Sequence, residues 1–357
     1  MTTCGSADPV LIGRPSSTAK LPLLRAPLAD PVRPTRVVGV VNPIRPKAEW
    51  AVGELRTACE QAGWPEPSIV TTTIAEAGAE QAEQAVAEGA ELVVALGGDG
   101  TVREVARGLA HSGVPLGVVP LGTANLFARN LLLPPGNLRR AIRLALHGAT
   151  APVDLGRVSV RAHADTGDWL PEETFLVLAG MGHDAHTVLA TSAHTKSRLG
   201  WFAYLGAGAQ HLHRRPVRVR LQVDEQAAED TEVWSVLVGN CGRIPGGIAV
   251  FPHALLDDGR LELMEARVRH PAQWLPVAWQ GLRHRPVPGS GLVLGRARTV
   301  RVVPEQPHPV QLDGDVLPSV GEAVFSVDPG ALLVRLDRPR ARRTGRPTPF
   351  TTGTADA

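Results

Sequence analysis

The chain has 357 residues, which is more than one ordinary domain needs and predicts two domains. Hydrophobic residues make up 43% of the chain and charged residues 20%, a balance that excludes wholesale disorder. A net charge of +2 argues against a surface built to bind nucleic acid. The three cysteines lie far apart, so they predict neither a disulfide framework nor a cysteine-based zinc site.

The sequence also bears on location. No basic segment followed by an apolar one stands at the N-terminus, so we expect no secretory signal peptide. The longest stretch without Asp, Glu, Lys or Arg is Gly108–Ala128, and its two prolines and four glycines exclude a single membrane-spanning helix. We therefore expect a cytoplasmic protein, either soluble or peripheral at the inner face of the membrane.

The first half of the chain alternates between predicted strands and helices. Residues 1–34 are rich in Pro, Ser and Thr without apolar periodicity and are predicted to form a flexible leader. Over residues 35–150, Arg36–Asn42 is an apolar, β-branched run typical of a buried parallel strand, and apolar intervals of three and four predict a helix over Ala48–Ala62. Further strands are predicted at Ile69–Thr73, Glu91–Leu96 and Leu116–Val119, with a helix at about 79–88. This alternation predicts a parallel sheet flanked by helices.

The pattern changes after about residue 150, and residues 151–337 are predicted to form a β-rich domain. Val217–Val223 alternates apolar with polar residues, the period of a half-exposed antiparallel strand. Other predicted strands are Thr231–Gly239, Leu261–Val268, Thr299–Val303, Val310–Asp313 and Leu332–Leu336, and helices are predicted at about 199–212 and 272–282. Residues 338–357 carry five arginines against one acid and are predicted to form a disordered tail that either solubilises the chain or binds anionic lipid.

The most informative segment joins a buried strand to a helix through Gly97–Thr101, Gly-Gly-Asp-Gly-Thr, which we call the first glycine loop. Gly97, Gly98 and Gly100 allow a tight turn that brings backbone N–H groups close to a polyphosphate. The helix N-terminus adds a partial charge that favours an anion. Asp99 stands where a carboxylate could hold Mg²⁺ on those phosphates. The alternative is a strand–helix turn in which Asp99 and Thr101 only cap the helix.

A second glycine loop, Pro120–Asn125, repeats this arrangement one βα unit later, where Gly122 and Thr123 follow a strand and precede a helix. Taken alone, Thr123 and Asn125 are better explained as helix caps than as ligands. In a parallel sheet, however, both loops leave the carboxyl edge, where ligands of open α/β sheets bind. Two polar glycine loops at one edge therefore favour a shared nucleotide site.

Together, the first glycine loop and the pattern Pro-x-Gly-Thr-x-Asn-x-x-Ala-Arg at 120–129 resemble the diacylglycerol kinase catalytic-domain family, which includes bacterial lipid kinases and sphingosine and ceramide kinases. The resemblance extends over about residues 36–337. It implies a Rossmann-like α/β domain of the NAD-kinase and diacylglycerol-kinase type, followed by a mainly antiparallel β-sandwich whose last strand returns to the first domain. It also implies ATP and Mg²⁺ as cofactors.

The resemblance assigns further residues to the nucleotide. Asn42 and Pro43, at the end of the first strand, resemble the family's opening nucleotide contact, although the Gly or Ser that usually follows is missing. Thr72 or Thr73 resembles a threonine that lines the nucleotide pocket. Many relatives carry Asp where this chain has Leu126, which implies the loss of one polar link in the active site.

The resemblance also assigns acidic residues in the second domain. Asp154 resembles an aspartate that joins an ordered Mg²⁺–water network. Asp258, with the backbone carbonyls of Leu255 and Arg260, resembles a second Mg²⁺ site, whereas the residues alone favour a β-turn with Asp-Gly at its tip. Asp315 takes the place of the glutamate that is the family's proton acceptor and is one methylene shorter. On the residues alone, this Asp-Gly-Asp segment is most often a hairpin turn.

These resemblances predict an ATP-dependent lipid kinase in which Asp99 holds Mg²⁺ and Asp315 accepts the proton of the lipid hydroxyl. The identity of the acceptor, diacylglycerol or a related lipid alcohol, is left open, as is the formation of a homodimer. One alternative is an NAD kinase, which shares Gly-Gly-Asp-Gly but usually follows it with a different asparagine motif. Another is a nucleotide- or lipid-binding protein without catalysis, which the departures at Leu126, Asp315 and Ile44–Lys47 favour.

Overall fold

The computed structural model describes residues 24–134, 136–164, 167–183, 215–243, 250–251, 253–268 and 291–338. The helices predicted at about 199–212 and 272–282 lie outside these residues, as do most of the predicted leader and tail. The N-terminal elements are β1 (Val37–Val41), α1 (Ala48–Gln61), β2 (Ser68–Thr71), α2 (Ala79–Ala87), β3 (Leu92–Gly97), α3 (Asp99–Leu109), β4 (Leu116–Pro120), α4 (Leu126–Asn130) and α5 (Leu138–His147). Among the helices described here, none is both long enough and apolar enough to cross a membrane.

The N-terminal α/β domain is built on four parallel strands in the order β2-β1-β3-β4. β1 and β3 are buried along their whole length, as their continuous apolar runs predict for strands that are covered on both faces. Helices α1 and α5 cover one face, where Leu55 and Ile142 are buried, and α2 and α3 cover the other face through Ala82 and Val105. The predicted parallel sheet flanked by helices is confirmed.

The C-terminal strands form two antiparallel layers. In chain order they are β5 (Ala149–Arg161), β6 (Glu173–Phe175), β7 (Leu178–Gly182), β8 (Val217–Val223), β9 (Glu229–Val233), β10 (Ser235–Gly239), β11 (Leu261–Ala266), β12 (Leu292–Ala297), β13 (Thr299–Pro304), β14 (His308–Leu312), β15 (Asp315–Val320) and β16 (Glu322–Leu336). One layer is the sheet β12-β11-β10-β7-β14-β15. The other contains β16, β13, β8 and β9, with β5 beside β16 and β6 beside β5. Phe175, Val236 and Phe325 fill the space between the layers and are fully buried. The predicted β-sandwich is confirmed.

The long strand β16 belongs to both domains. Its first half pairs with β13 and β5, whereas Val334 near its end pairs in parallel with Leu116 of β4. Its register with β5 shifts between Asp328 and Leu332, opposite Asp154. Because of this strand, one ten-stranded sheet runs through both domains.

The segment predicted as the single strand Thr231–Gly239 is instead two strands in different sheets. β9 pairs with β8, whereas β10 pairs with β7 and β11. The chain passes from one sheet to the other at Trp234. This residue is buried, and its backbone N–H donates to the Ala266 carbonyl at 2.7 Å. Because an apolar run through the corner of a sandwich is buried on both sides of the corner, the sequence pattern does not reveal the break.

Candidate active site

The first glycine loop connects β3 to α3 in a turn that only glycine fits. A Cβ at Gly97 would stand 2.4 Å from the Cβ of Thr101. Asn42, directly after β1, donates from Nδ2 to the Thr101 Oγ1 at 3.3 Å, and its Oδ1 accepts from the Ile44 N–H at 3.2 Å. Asn42 therefore fixes the loop after β1 beside the first glycine loop, at the carboxyl edge of the sheet.

The second glycine loop packs backbone to backbone against the first. The Leu121 N–H donates to the Gly97 carbonyl at 2.7 Å, and a Cβ at Gly122 would stand 2.7 Å from the Gly98 Cα. Asn125 has a left-handed backbone, with φ at 46°, and closes its loop on itself. Its side chain accepts from the Gly122 N–H at 2.9 Å and donates to the Gly122 carbonyl at 2.7 Å. The two loops can approach this closely only because both positions are glycine.

Asp99 joins the two glycine loops through its carboxylate. It accepts a hydrogen bond from the N–H of Leu126, the first residue of α4, and it also interacts with the N–H groups of Asn125 and Phe127. Burial raises the pKa of Asp99, and these N–H groups offset part of that shift. The Leu126 side chain is buried in the core, so this position makes its polar contact through the backbone. Asp99 does cap a helix, as the residues alone suggested. The capped helix is α4, which follows the second glycine loop.

The hairpin of β14 and β15 brings a second acidic segment to the same edge. Asp313 and Gly314 both have positive φ, 50° and 97°, as in the two-residue turn that Asp-Gly favours. The Asp313 carboxylate is buried and accepts from the backbone N–H groups of residues 176–178 at 2.7, 2.8 and 2.9 Å. Burial raises the pKa of Asp313, and these N–H groups offset part of the shift. The three hydrogen bonds anchor the hairpin and so fix the position of the next residue but one, Asp315.

Asp315 stands at the end of this turn with its side chain 67% exposed and its Oδ2 2.9 Å from Nη2 of Arg103. Arg103 comes from α3, shortly after the first glycine loop, and also donates to the Leu312 carbonyl at 3.1 Å. Burial lowers the pKa of Arg103, but the negative charges of Asp313, Asp315 and Glu104 raise it overall. Arg103 was not predicted from the sequence, although its place in the helix that follows the glycine motif was the available signal. Arg103 connects the α/β domain to the β14–β15 hairpin.

Two adjoining clefts of about 240 and 220 Å³ open at this edge and share Arg45, Gly100 and Asp315. The residues predicted to bind cofactor that line them are Asn42, Thr72, Thr73, Gly98, Asp99, Gly100, Thr101, Gly122 and Thr123. Gly97 and Asn125 shape the two loops, and Pro43 is exposed in the loop after β1. The structure thus brings the two glycine loops of one domain and the predicted base of the other to one site.

The residues predicted to hold a second Mg²⁺ form a closed turn. Asp258, between Leu255 and Arg260, accepts from the Arg260 N–H at 3.1 Å and is ion-paired with Arg296, with Arg25 at 3.8 Å. Its side chain is only 1% exposed, so its oxygens face cationic groups and leave no open side for a metal ion. Within the ranges that the structure describes, no group of three or more His, Cys, Asp or Glu could hold a metal ion. In this structure the Asp258 carboxylate is therefore neutralised by guanidinium groups, and a second Mg²⁺ at this turn stays a prediction.

Asp154 lies beside this turn as a buried anchor. Its carboxylate accepts from the N–H groups of Gly259 at 2.7 Å and Gly330 at 2.8 Å, and its carbonyl accepts from the Asn240 Nδ2 at 2.7 Å. Burial raises the pKa of Asp154, the two N–H groups offset part of the shift, and the charge of Asp258 adds to it. Asp154 thus joins the Asp258 turn, the end of β10 and the irregular part of β16. It is not among the described residues that line the two clefts.

Known proteins resemble both halves of the chain. The family profile described as "Diacylglycerol kinase catalytic domain" matches residues 36–158, and the profile described as "YegS C-terminal NAD kinase beta sandwich-like domain" matches residues 177–336. A Bacillus subtilis (strain 168) protein named "Diacylglycerol kinase" is 30% identical over 259 residues, which cover 72% of this chain and 81% of that protein. A Xanthomonas euvesicatoria pv. vesicatoria (strain 85-10) protein named "Probable lipid kinase YegS-like" is 35% identical over 244 residues, which cover 65% of this chain and 74% of that protein.

A solved structure supports the fold independently. The crystal structure of a diacylglycerol kinase from Bacillus anthracis (strain Sterne) superposes with a TM-score of 0.61 at 20% sequence identity, and the match covers 86% of this chain and 98% of that chain. The family itself rests on the sequence relatives, which match most of their length to this chain. The resemblance carried by the glycine loops is confirmed, and the chain belongs to the diacylglycerol kinase catalytic-domain family.

Proposed function

We propose that the chain is an ATP-dependent lipid kinase that transfers the γ-phosphoryl group of ATP to the hydroxyl of a lipid such as diacylglycerol. One observation carries the proposal: the two glycine loops, which suit phosphates, and Asp315, which suits an acceptor hydroxyl, line the same pair of clefts. Family membership supports the reaction class, because relatives are named diacylglycerol kinase.

The α/β domain supplies the nucleotide side of the site. Gly100 leaves the backbone of the first glycine loop open, because the nearest atom to a Cβ built there is the Asp315 Oδ2 at 4.0 Å, so phosphate oxygens can approach the start of α3 closely. Helix α3 begins at the same place, and the partial positive charge of its N-terminus favours the anion. Thr72 and Thr73 line the first cleft and offer hydrogen-bonding groups to the rest of the nucleotide.

The β14–β15 hairpin supplies the acceptor side. Asp315 takes the proton of the lipid hydroxyl as that oxygen attacks the γ-phosphorus. The new P–O bond forms while the bond to the β,γ-bridging oxygen breaks, and ADP leaves. Arg103 orients the Asp315 carboxylate through the 2.9 Å ion pair, and the exposure of Asp315 leaves room for a hydroxyl to approach.

The Asp99 carboxylate at the second cleft fits a magnesium ion, because such ions bind through one or two carboxylates together with substrate phosphates. When bound, Mg²⁺ neutralises phosphate charge during the transfer. No step is assigned to the turn at Asp258, since its carboxylate is held by guanidinium groups. The acceptor lies in a bilayer, so we also propose that the chain works at a membrane surface as a peripheral protein.

The test is ATP-dependent phosphorylation of a mixed lipid extract in detergent micelles with Mg²⁺, with products identified by mass, and a parallel reaction with NAD. We expect a phosphorylated lipid and no NADP. A protein that binds ATP but phosphorylates no lipid contradicts the proposal and supports the non-catalytic alternative. Formation of NADP alone supports the NAD kinase alternative.

A further inference from the structure

We propose that Arg45 binds the terminal phosphoryl groups of the nucleotide. This inference rests on the proposed function, because it assumes a nucleoside triphosphate in the clefts. Arg45 is one of three residues that line both clefts, together with Gly100 and Asp315. It lies in the loop after β1, within the segment 44–47 that lacks the Gly or Ser of the family pattern.

A rigid turn carries Arg45. The Asn42 Oδ1 accepts from the Ile44 N–H at 3.2 Å, and the Arg45 N–H donates to the Asn42 carbonyl at 3.3 Å. Pro43 and Pro46 flank Arg45 and each fixes its own backbone φ. The Asn42 side chain is also bonded to the first glycine loop, so the turn is held in place before any ligand binds.

The Arg45 guanidinium lies directly against the two glycine loops. A Cβ at Gly98 would stand 2.9 Å from the Arg45 Nη2 and 3.3 Å from its Cζ. The same Cβ would stand 3.4 Å from the Gly122 Cα, so the guanidinium lies where the two loops meet. A planar cationic donor therefore lies where the two glycine loops meet, beside the start of α3, and such a donor recognises a phosphate group.

The charge of Arg45 is available to a ligand, in contrast to that of Arg103. Arg103 is paired with Asp315 at 2.9 Å and lies 3.5 Å from Glu104. Arg45 has no ion-pair partner in the described part of the chain, and its Nε is buried there without a hydrogen-bond partner. Three carboxylates line the second cleft, so a polyphosphate that enters it needs positive charge from the protein as well as from a metal ion.

The test measures binding of ATP, ADP and AMP to wild type and to Arg45 variants by calorimetry. We expect Arg45→Ala to weaken ATP and ADP binding about 10- to 100-fold, the range for losing one hydrogen bond between charged groups, and to leave AMP binding unchanged. Arg45→Lys keeps the charge but loses the planar fork, so its affinities fall between those of wild type and Arg45→Ala. Lys47→Ala is the matched control, because it removes an exposed cation of the same loop that lines neither cleft.

Two outcomes overturn the inference and leave the proposed function in place. One is unchanged ATP binding by Arg45→Ala, and the other is equal weakening for ATP, ADP and AMP, which indicates that Arg45 only fills space beside Gly98. Absence of ATP binding by the wild type overturns the proposed function and the inference together. If Arg45→Ala is unfolded at the assay temperature, Arg45→Gln keeps most of the side-chain volume without the charge and gives the same comparison.

Discussion

Two acidic turns of the second domain, Asp257–Gly259 and Asp313–Asp315, resemble each other in sequence and differ in environment. At the first turn, Asp258 is 1% exposed and is ion-paired with Arg296. At the second turn, Asp315 is 67% exposed and lines both clefts. The comparison teaches that an Asp-Gly turn does not by itself make a carboxylate available for chemistry; the partners that the rest of the fold supplies decide this.

The closed turn and the open turn also serve different parts of the molecule. The closed turn is bonded to Asp154 through the Gly259 N–H, and Asp154 is bonded in turn to β16 at Gly330, so this region holds strands of the two domains together. The open turn is anchored through Asp313 and is free on the side that faces the glycine loops. We therefore expect changes at the open turn to alter transfer, and changes at the closed turn to alter stability.

The largest expected effect is that of Asp315→Asn. Loss of the proton acceptor should lower kcat for lipid phosphorylation by about 10²–10⁴-fold, while ATP binding and Tm stay at the wild-type values because the side chain is exposed. Asp168→Asn is the matched control, since Asp168 is exposed and lines neither cleft. Unchanged transfer by Asp315→Asn would show that another group is the base and would remove the contrast between the two turns.

Asp99→Ala should affect both transfer and stability. The buried carboxylate accepts backbone N–H groups at the start of α4, so its removal should lower the free energy of unfolding by about 1–3 kcal/mol. We also expect kcat to fall by about 100-fold, because the two glycine loops lose their shared contact. Denaturant unfolding and steady-state kinetics measure the two effects. Full activity in the variant would remove Asp99 from the mechanism.

Gly122→Ala tests whether the open site depends on the close approach of the two loops. A Cβ at this position would stand 2.7 Å from the Gly98 Cα, so the loops must separate, with a stability loss of about 1–3 kcal/mol and weaker ATP binding. Gly53→Ala is the control, because no heavy atom lies within 4 Å of a Cβ built at that helical position. It should raise stability by about 0.5–1 kcal/mol and leave ATP binding unchanged. Wild-type ATP affinity in Gly122→Ala would argue against the loops as the phosphate site.

The smallest expected effect concerns Mg²⁺ at the closed turn. Because Arg296 already neutralises Asp258, adding Mg²⁺ without nucleotide should leave Tm the same as in EDTA. A rise in Tm with Mg²⁺ that Asp258→Asn abolishes would place a cation at this turn, as the family resemblance implies. That result would make the two acidic turns more alike than their contacts suggest.

The parts of the fold that the sequence predicts are those with a local signal. The strands β1 and β3 are continuous apolar runs. The glycine loops are visible in the sequence because only glycine fits sterically at their turns. The strands β5, β6, β7, β12 and β15 and the first half of β16 escaped prediction. β5 contains Pro152 and Gly156, and β16 begins at the buried Glu322, whose partners Arg161 and Arg301 lie elsewhere in the chain.

The parts of the site that the sequence does not predict depend on contacts between distant residues. Arg103 donates to Leu312 across 209 positions of the chain, and the Asp99 carboxylate reaches the N–H of Leu126 across 27 positions. Arg45 escaped for a different reason, since a motif that expects a small residue treats this position as a departure. The local motifs therefore predict the two glycine loops, and only the assembled fold shows which distant groups lie against them.

The shared strand β16 has a consequence for the order in which a nascent chain folds. Leu332, Val334 and Leu336 belong to the core of the α/β domain, yet the ribosome adds them after every other strand described. Until then the edge of β4 next to β16 is unpaired and its apolar neighbours are exposed, a state that is prone to aggregation and suited to chaperone binding. The β14–β15 hairpin is made immediately before β16, so the carboxylate of Asp315 and the completed sheet arrive in the same late step. A partly synthesised chain thus lacks Asp315 at the clefts, and we expect no phosphoryl transfer before its fold is complete.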